Sequence, residues 1–275
     1  MSPTPLSLEY LLRPSNSDVA KKPAIFLFHG YGSNEEDLFS FAPELPAELM
    51  VFSVKAPYDL EPFGHAWYAI NFDAEQGKWS DDEQAKESRE KIVKFIDEAI
   101  AAYNLDETNI TLLGFSQGTI LSYAVALSYP EKIKNVVALS GYINERILKE
   151  GYSEKNLGKL NFYISHGQVD QVIPLEWAQR APDFLKQLGI KPTYQEFPIG
   201  HGVSQQNFYA FKKWLEDHIW FLKNELWASW NAEGVKTPEE SNHMPRRFFT
   251  LLKMTFRKLI APGVQQMIHQ GEVDT

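Results

Sequence analysis

Seven short apolar runs, at residues 6–12, 24–28, 50–54, 110–113, 136–139, 162–165 and 193–197, alternate with longer amphipathic stretches along this chain. That alternation is the signature of βα units wound around a mainly parallel sheet with helices flanking it. The helical stretches fall at 81–103, 117–128, 175–188 and 204–222. In the clearest of them Ile92, Val93, Ile96, Ala99 and Ile100 share one face, with Lys, Glu and Asp opposite. Only about twenty residues separate the run ending at Leu139 from the one beginning at Phe162, which leaves no room for a separate cap domain. Residues 55–80 break the pattern. They hold Pro57, Tyr58, Pro62, Phe63, Gly64, Trp67, Tyr68, Phe72 and Trp79 with no period, and read as one long loop, functional or structural.

The chain has 275 residues, enough for one large α/β domain or for a domain of about 220 residues with an appendage. Turn and linker signals at residues 231–234 and 237–241 favour the second arrangement, a domain at 1–222 and an extension at 223–275. With 44% hydrophobic and 23% charged residues, and no apolar run near the ~20 residues that cross a bilayer, the chain is expected to be a soluble globular protein. Its first residues lack a basic region followed by an apolar core, so a cytoplasmic location is expected. Zero cysteines exclude a disulfide framework and a thiolate metal site. A formal charge of −9 opposes nucleic acid as a partner and favours a neutral substrate over a highly anionic one.

Gly114-Phe115-Ser116-Gln117-Gly118 lies directly after the apolar run 110–113 and directly before a helical stretch. A serine hydroxyl is a weak nucleophile. A tight strand-to-helix turn exposes its oxygen, and flanking glycines remove side chains that would strike neighbouring backbone. Such a serine needs a base, and the base needs a carboxylate to hold its tautomer, the two following in chain order at later strand ends. Asp170, in the segment 165–174 after the sixth run, supplies the acid. His201, between Gly200 and Gly202 after the seventh run, supplies the base. His29 precedes the serine, and His166 stands only four residues before the acid; His65, His218, His243 and His269 take solvated or packing roles by default. The oxyanion of an acyl-transfer intermediate needs donors from the residue after the nucleophile and from the loop after an early strand. Here these are the backbone N–H groups of Gln117 and Tyr31.

Leu27-Phe28-His29-Gly30-Tyr31-Gly32, Ala66-Trp67-Tyr68, the Ser116 pentapeptide, the stretch from His166 to Pro174 and Gly200-His201-Gly202, in that order, resemble the phospholipase/carboxylesterase family of α/β-hydrolases, to which acyl-protein thioesterases belong. The resemblance covers about residues 20–222. It implies an α/β-hydrolase fold without a cap and a serine esterase or thioesterase with Ser116, Asp170 and His201 as triad. It also implies an acyl groove bordered by the Trp67 loop, so Trp67, Tyr68 and Phe63 are the expected substrate contacts. Thr119 departs from the small residue that relatives carry there, and is expected only to crowd the first helical turn.

No cofactor and no metal are expected, because the triad generates its own nucleophile. The expected partner is a small ester or thioester of small to medium acyl length. A non-catalytic module holding a hydrophobic ligand, or an acyltransferase using the same triad, are the alternatives. In the extension, Phe248, Leu251, Leu252, Phe256, Leu259 and Ile260 recur at helical spacing beside Arg246, Arg247, Lys253, Arg257 and Lys258, predicting a basic amphipathic helix near 246–260. Packing on the hydrolase body or on a second copy, as a homodimer, is the favoured use of that face, ahead of another partner or an anionic membrane.

Overall fold

The computed structural model describes residues 4–62, 64–73 and 77–219, with backbone alone at 71–73 and 77–79. The extension at 223–275 and its predicted helix lie outside the described residues.

The strands in chain order are β1 (Tyr10–Arg13), β2 (Lys22–Phe28), β3 (Met50–Val54), β4 (Tyr58–Asp59), β5 (His65–Ala66), β6 (Ile70–Asp73), β7 (Gly77–Ser80), β8 (Leu105–Phe115), β9 (Asn135–Leu139), β10 (Asn161–Gly167) and β11 (Thr193–Phe197). The helices are α1 (Glu35–Phe39), α2 (Asp82–Tyr103), α3 (Gln117–Ser128), α4 (Leu175–Gln187) and α5 (Gln205–Ile219). Each of the seven apolar runs contributes a strand to one seven-stranded sheet of order β1-β3-β2-β8-β9-β10-β11. Five pairings are parallel, and β1 alone joins antiparallel, on β3 at the edge.

Alternate side chains of each strand enter opposite layers, as the pleat requires. From β2, Ala24, Phe26 and Phe28 enter a core shared with α2, α3 and α4. Ile25 and Leu27 enter a second core with Phe211, Trp214 and Leu215 of α5 and Leu38 of α1. Phe26 and Phe52 stack across β2 and β3 with centroids 4.9 Å apart. Each such fully buried side chain contributes about 1.5–3 kcal/mol relative to exposure. Helix α2 starts where Asp81 accepts N–H bonds from Glu83 and Gln84, and stops where Asn104 turns left-handed at φ 51°.

The connection from β9 to β10 carries two single 3₁₀ turns, Glu145–Ile147 and Tyr152–Glu154, and no cap. Residues 55–80 are not one irregular loop, because two short antiparallel pairs, β4-β5 and β6-β7, lie within them. The chain leaves β2 toward β3 on one side and reaches β8 on the other. A crevice opens at the carboxyl ends of strands where the winding direction reverses, so β2 and β8 mark the place where a parallel sheet binds ligands.

Candidate active site

Ser116 sits at that crevice, one residue past β8, with φ 53° and ψ −115°. A non-glycine residue holds such a conformation only when its surroundings enforce it. The Ser116 N–H donates to the Leu139 carbonyl at 2.9 Å, which ties the turn to the end of β9. The flanking glycines are required by space. A Cβ on Gly118 would stand 2.0 Å from the Phe28 carbonyl oxygen, and one on Gly114 would stand 2.4 Å from the Gly118 backbone. Gly118→Ala is therefore expected to cost about 1–3 kcal/mol or more, read as a lower denaturant midpoint. Gly158→Ala, whose methyl would meet its nearest neighbour at 3.5 Å, is the matched control and leaves the midpoint in place.

Thr119 does more than crowd its turn. Its hydroxyl lies 2.6 Å from the carbonyl oxygens of Gly114 and Leu139 and accepts the Leu139 N–H at 3.0 Å, bracing both strands that hold the elbow. Its methyl occupies the space that a side chain at Gly141 would need.

The structure brings the three predicted triad residues together from three strand ends. His201 Nε2 lies 2.9 Å from Ser116 Oγ, and His201 Nδ1 lies 2.7 Å from Asp170 Oδ2. The Asp170 side chain is fully buried and Ser116 is 8% exposed, while the His201 side chain is 17% exposed, so the line of three meets solvent chiefly at its imidazole. Burial alone opposes a charge on Asp170. Hydrogen bonds from His201 and from the Ile173 and Val172 N–H groups outweigh it and hold the carboxyl below the ordinary aspartate value.

His166 also reaches this acid, which its position four residues upstream concealed. Its Nε2 donates to the Ile173 carbonyl at 2.9 Å and stands 3.4 Å from Asp170 Oδ2, so it packs the acid from behind. The signal was present in the spacing, since the three residues between His166 and Asp170 are enough to fold one polar side chain onto the other. His218, stacked on Trp214 and bonded to that residue's carbonyl, has the packing role expected of it.

The loop after β2 lies beside the elbow through the β2-β8 register, which sets Phe28 opposite Gly114. A Cβ added at Gly30 would stand 3.3 Å from Ser116 Cβ, so the loop passes close to the elbow there. Among the described residues, neither the Tyr31 nor the Gln117 N–H is given to a protein acceptor, so both are free for a ligand. His29 is buried and neutral. Burial lowers its pKa, its Nδ1–H donates to the Gly30 carbonyl, and its Nε2 accepts the Ala56 N–H, which fixes the tautomer.

The expected substrate contacts need correction. Trp67 and Tyr68 are 0% and 2% exposed and present no surface to a ligand. The Trp67 indole sits edge-on against Phe28, 5.4 Å between centroids, because a large ring on a short hairpin gains more from the core than from water. Phe63 lies outside the described residues. An open cavity of about 340 Å³ does exist elsewhere, between the segment after β9 and α4, walled by Tyr142, Trp177 and Phe184 together with the charged Glu145, Arg146 and Arg180. Ser116, Asp170 and His201 are not among those walls, and the link to them runs along the chain. Tyr142 follows Gly141, where an added Cβ would stand 3.1 Å from the Ser116 carbonyl oxygen, and α4 starts at Leu175, soon after Asp170.

Among the described residues no cluster of His, Asp or Glu is arranged to hold a metal ion, and no helix is long and apolar enough to cross a membrane.

Comparison with known proteins bears on the family and the fold. The chain is 29% identical to acyl-protein thioesterase 1 of Candida albicans over 80% of its own length and 98% of the relative's. It is 27% identical to a probable carboxylesterase of Oryza sativa subsp. japonica, over 79% and 86%. The crystal structure of the Bacillus cereus carboxylesterase superposes with a TM-score of 0.66 at 21% identity, over 77% of this chain and 94% of that one, and so shares its fold. The profile of the family described as phospholipase/carboxylesterase matches residues 15–219, three quarters of the chain, and the chain belongs to that family of α/β-hydrolases.

Proposed function

We propose that this protein is a serine hydrolase that cleaves carboxylic esters or thioesters through an acyl-enzyme. The observation that carries the reading is the continuous hydrogen-bonded line from Asp170 through His201 to Ser116 Oγ, set on a strained turn beside free backbone donors. His201 Nε2 takes the hydroxyl proton as Ser116 attacks the acyl carbon. Asp170 stabilises the imidazolium, and the tetrahedral oxyanion sits against the Tyr31 and Gln117 N–H groups. The imidazolium then protonates the departing alcohol or thiol. Water repeats the sequence on the acyl-enzyme and frees Ser116.

The cavity beside Tyr142 and Trp177 is assigned to the apolar part of the substrate. Its size is at the small end of ligand sites, which fits a small to medium acyl group. Trp177 is 43% exposed, and a large aromatic ring at the edge of a cavity has work to do against an apolar ligand. Hydrolysis of p-nitrophenyl esters from acetate through palmitate tests this reading. The native chain is expected to show an optimum below the longest chains. Trp177→Ala is expected to move that optimum toward bulkier acyl groups and to lower kcat/KM for the best native ester roughly tenfold. An unchanged length profile would remove Trp177 and its cavity from the substrate's path.

The homologues favour hydrolysis over the non-catalytic and acyl-transfer alternatives. A thioester arm, run with an acyl-coenzyme A or an S-acylated peptide, separates ester from thioester preference.

A further inference from the structure

The two oxyanion donors come from separate elements, the loop after β2 and the first turn of α3. A hole made from two parts works only when their spacing is fixed before the charge develops. One short segment is bonded to both parts. Trp67 Nε1–H donates to the His29 carbonyl at 2.9 Å, two residues before Tyr31. The Trp67 backbone N–H donates to Gln117 Oε1 at 2.8 Å, and Gln117 Nε2 returns to the Tyr68 carbonyl at 2.7 Å. Gln117 thus carries one donor on its backbone and uses its side chain to grip the segment that holds the other.

The grip is itself anchored. Ser88 Oγ donates to the Trp67 carbonyl, and His29 is pinned at both ring nitrogens. The hairpin adds two backbone bonds to the donor loop, Gly32 N–H to the His65 carbonyl at 2.9 Å and His65 N–H to the Ser33 carbonyl at 2.8 Å. A tryptophan serving only as core filler would need one acceptor for its indole. Here the indole and the backbone of the same residue are spent on the two halves of the site.

We propose that Trp67, through His29 and the Gln117 side chain, is a positioning residue that sets the separation of the two oxyanion donors. The proposal rests on the esterase reading above. Because the oxyanion exists only in and near the transition state, a misplaced donor lowers kcat and leaves KM nearly unchanged. A displacement of about 1 Å at a reacting centre can cost roughly 10²-fold.

Trp67→Phe removes the indole N–H while keeping an aromatic ring, and Gln117→Met removes both amide ends while keeping chain length. Each is expected to lower kcat on a p-nitrophenyl ester roughly 10- to 100-fold with KM within about twofold. The inhibition constant of a trifluoromethyl ketone, which forms a tetrahedral adduct on the serine, should weaken in parallel. The double variant should lose little more than the worse single one, because both break one clamp. Ser116-dependent turnover by the native chain is measured first, and its absence overturns the esterase reading itself. With that arm intact, variants that keep kcat and ketone affinity, that change KM alone, or that combine additively overturn the positioning role. If Trp67→Phe does not fold, Gln117→Met, which leaves the indole in place, decides the question by the same two constants.

Discussion

Ser116→Ala is expected to lower kcat for ester hydrolysis by about 10⁴- to 10⁶-fold, the range in which loss of a triad nucleophile falls. The substitution removes the hydroxyl oxygen proposed as the nucleophile. Ser116 Oγ is held 2.9 Å from His201 Nε2 by a turn whose glycines have no space for side chains. Water cannot take over at full rate, since it lacks the fixed geometry that makes attack effectively unimolecular. KM should change little, because the cavity walls at Tyr142 and Trp177 are untouched. The turn is enforced by Gly114, Gly118 and the Leu139 carbonyl, so the variant should also keep its unfolding free energy within a fraction of a kcal/mol. Steady-state assays with p-nitrophenyl butyrate, paired with a denaturation curve, read both values.

Asp170→Asn should cost about 10⁴-fold in kcat, nearly as much, for a different reason. Asp170 uses both oxygens. Oδ1 accepts N–H bonds from Val172 and Ile173, and Oδ2 accepts from His201 Nδ1. An asparagine has a single carbonyl oxygen, and the two backbone N–H groups claim it. Its amide NH₂ then faces His201 Nδ1 and donates to it. That forces the proton onto Nε2, where it points at Ser116 and cannot accept the hydroxyl proton. The shape of the site survives while its proton logic is reversed. Activity that recovers steeply at high pH while the folded structure is unchanged would match this account, and a variant within tenfold of native at neutral pH would contradict it.

Much of this arrangement was legible in the sequence, because strand runs and chain order are local signals. Residues 50–54, 193–197 and 117–128 are bounded in the structure where apolar content and small residues predicted. Asp170 and His201 were legible because each follows its strand directly, and the sheet order brings those ends together without further information. Helix α1 was missed because it has five residues and buries only Leu38, too little for a period to show. The first strand shrank to Tyr10–Arg13 because Ser7 gives its N–H to the Glu98 side chain instead of a sheet partner. Arg13 sits in that strand by donating to the carbonyls of Ala42, Leu45, Pro46 and Leu49, a cage that no neighbouring residue announces.

The burial of Trp67 is illegible for the same reason. An aromatic residue in an irregular loop can line a groove or fill a core, and its own neighbourhood does not say which. What decides is a set of partners 38 and 50 positions away, His29 and Gln117, which the fold alone brings within reach. His166 shows the reverse case, a short-range partner of Asp170 whose place only four residues before the acid argues against it as the base.

Intact-mass spectrometry after brief exposure of the native chain to a fluorophosphonate, followed by peptide mapping, tests the central claim most directly. The account predicts one phosphonyl adduct per chain, on the peptide carrying Ser116, and none on Ser116→Ala. An unlabelled native chain, or an adduct on any other residue, would contradict the assignment of Ser116 as an activated nucleophile.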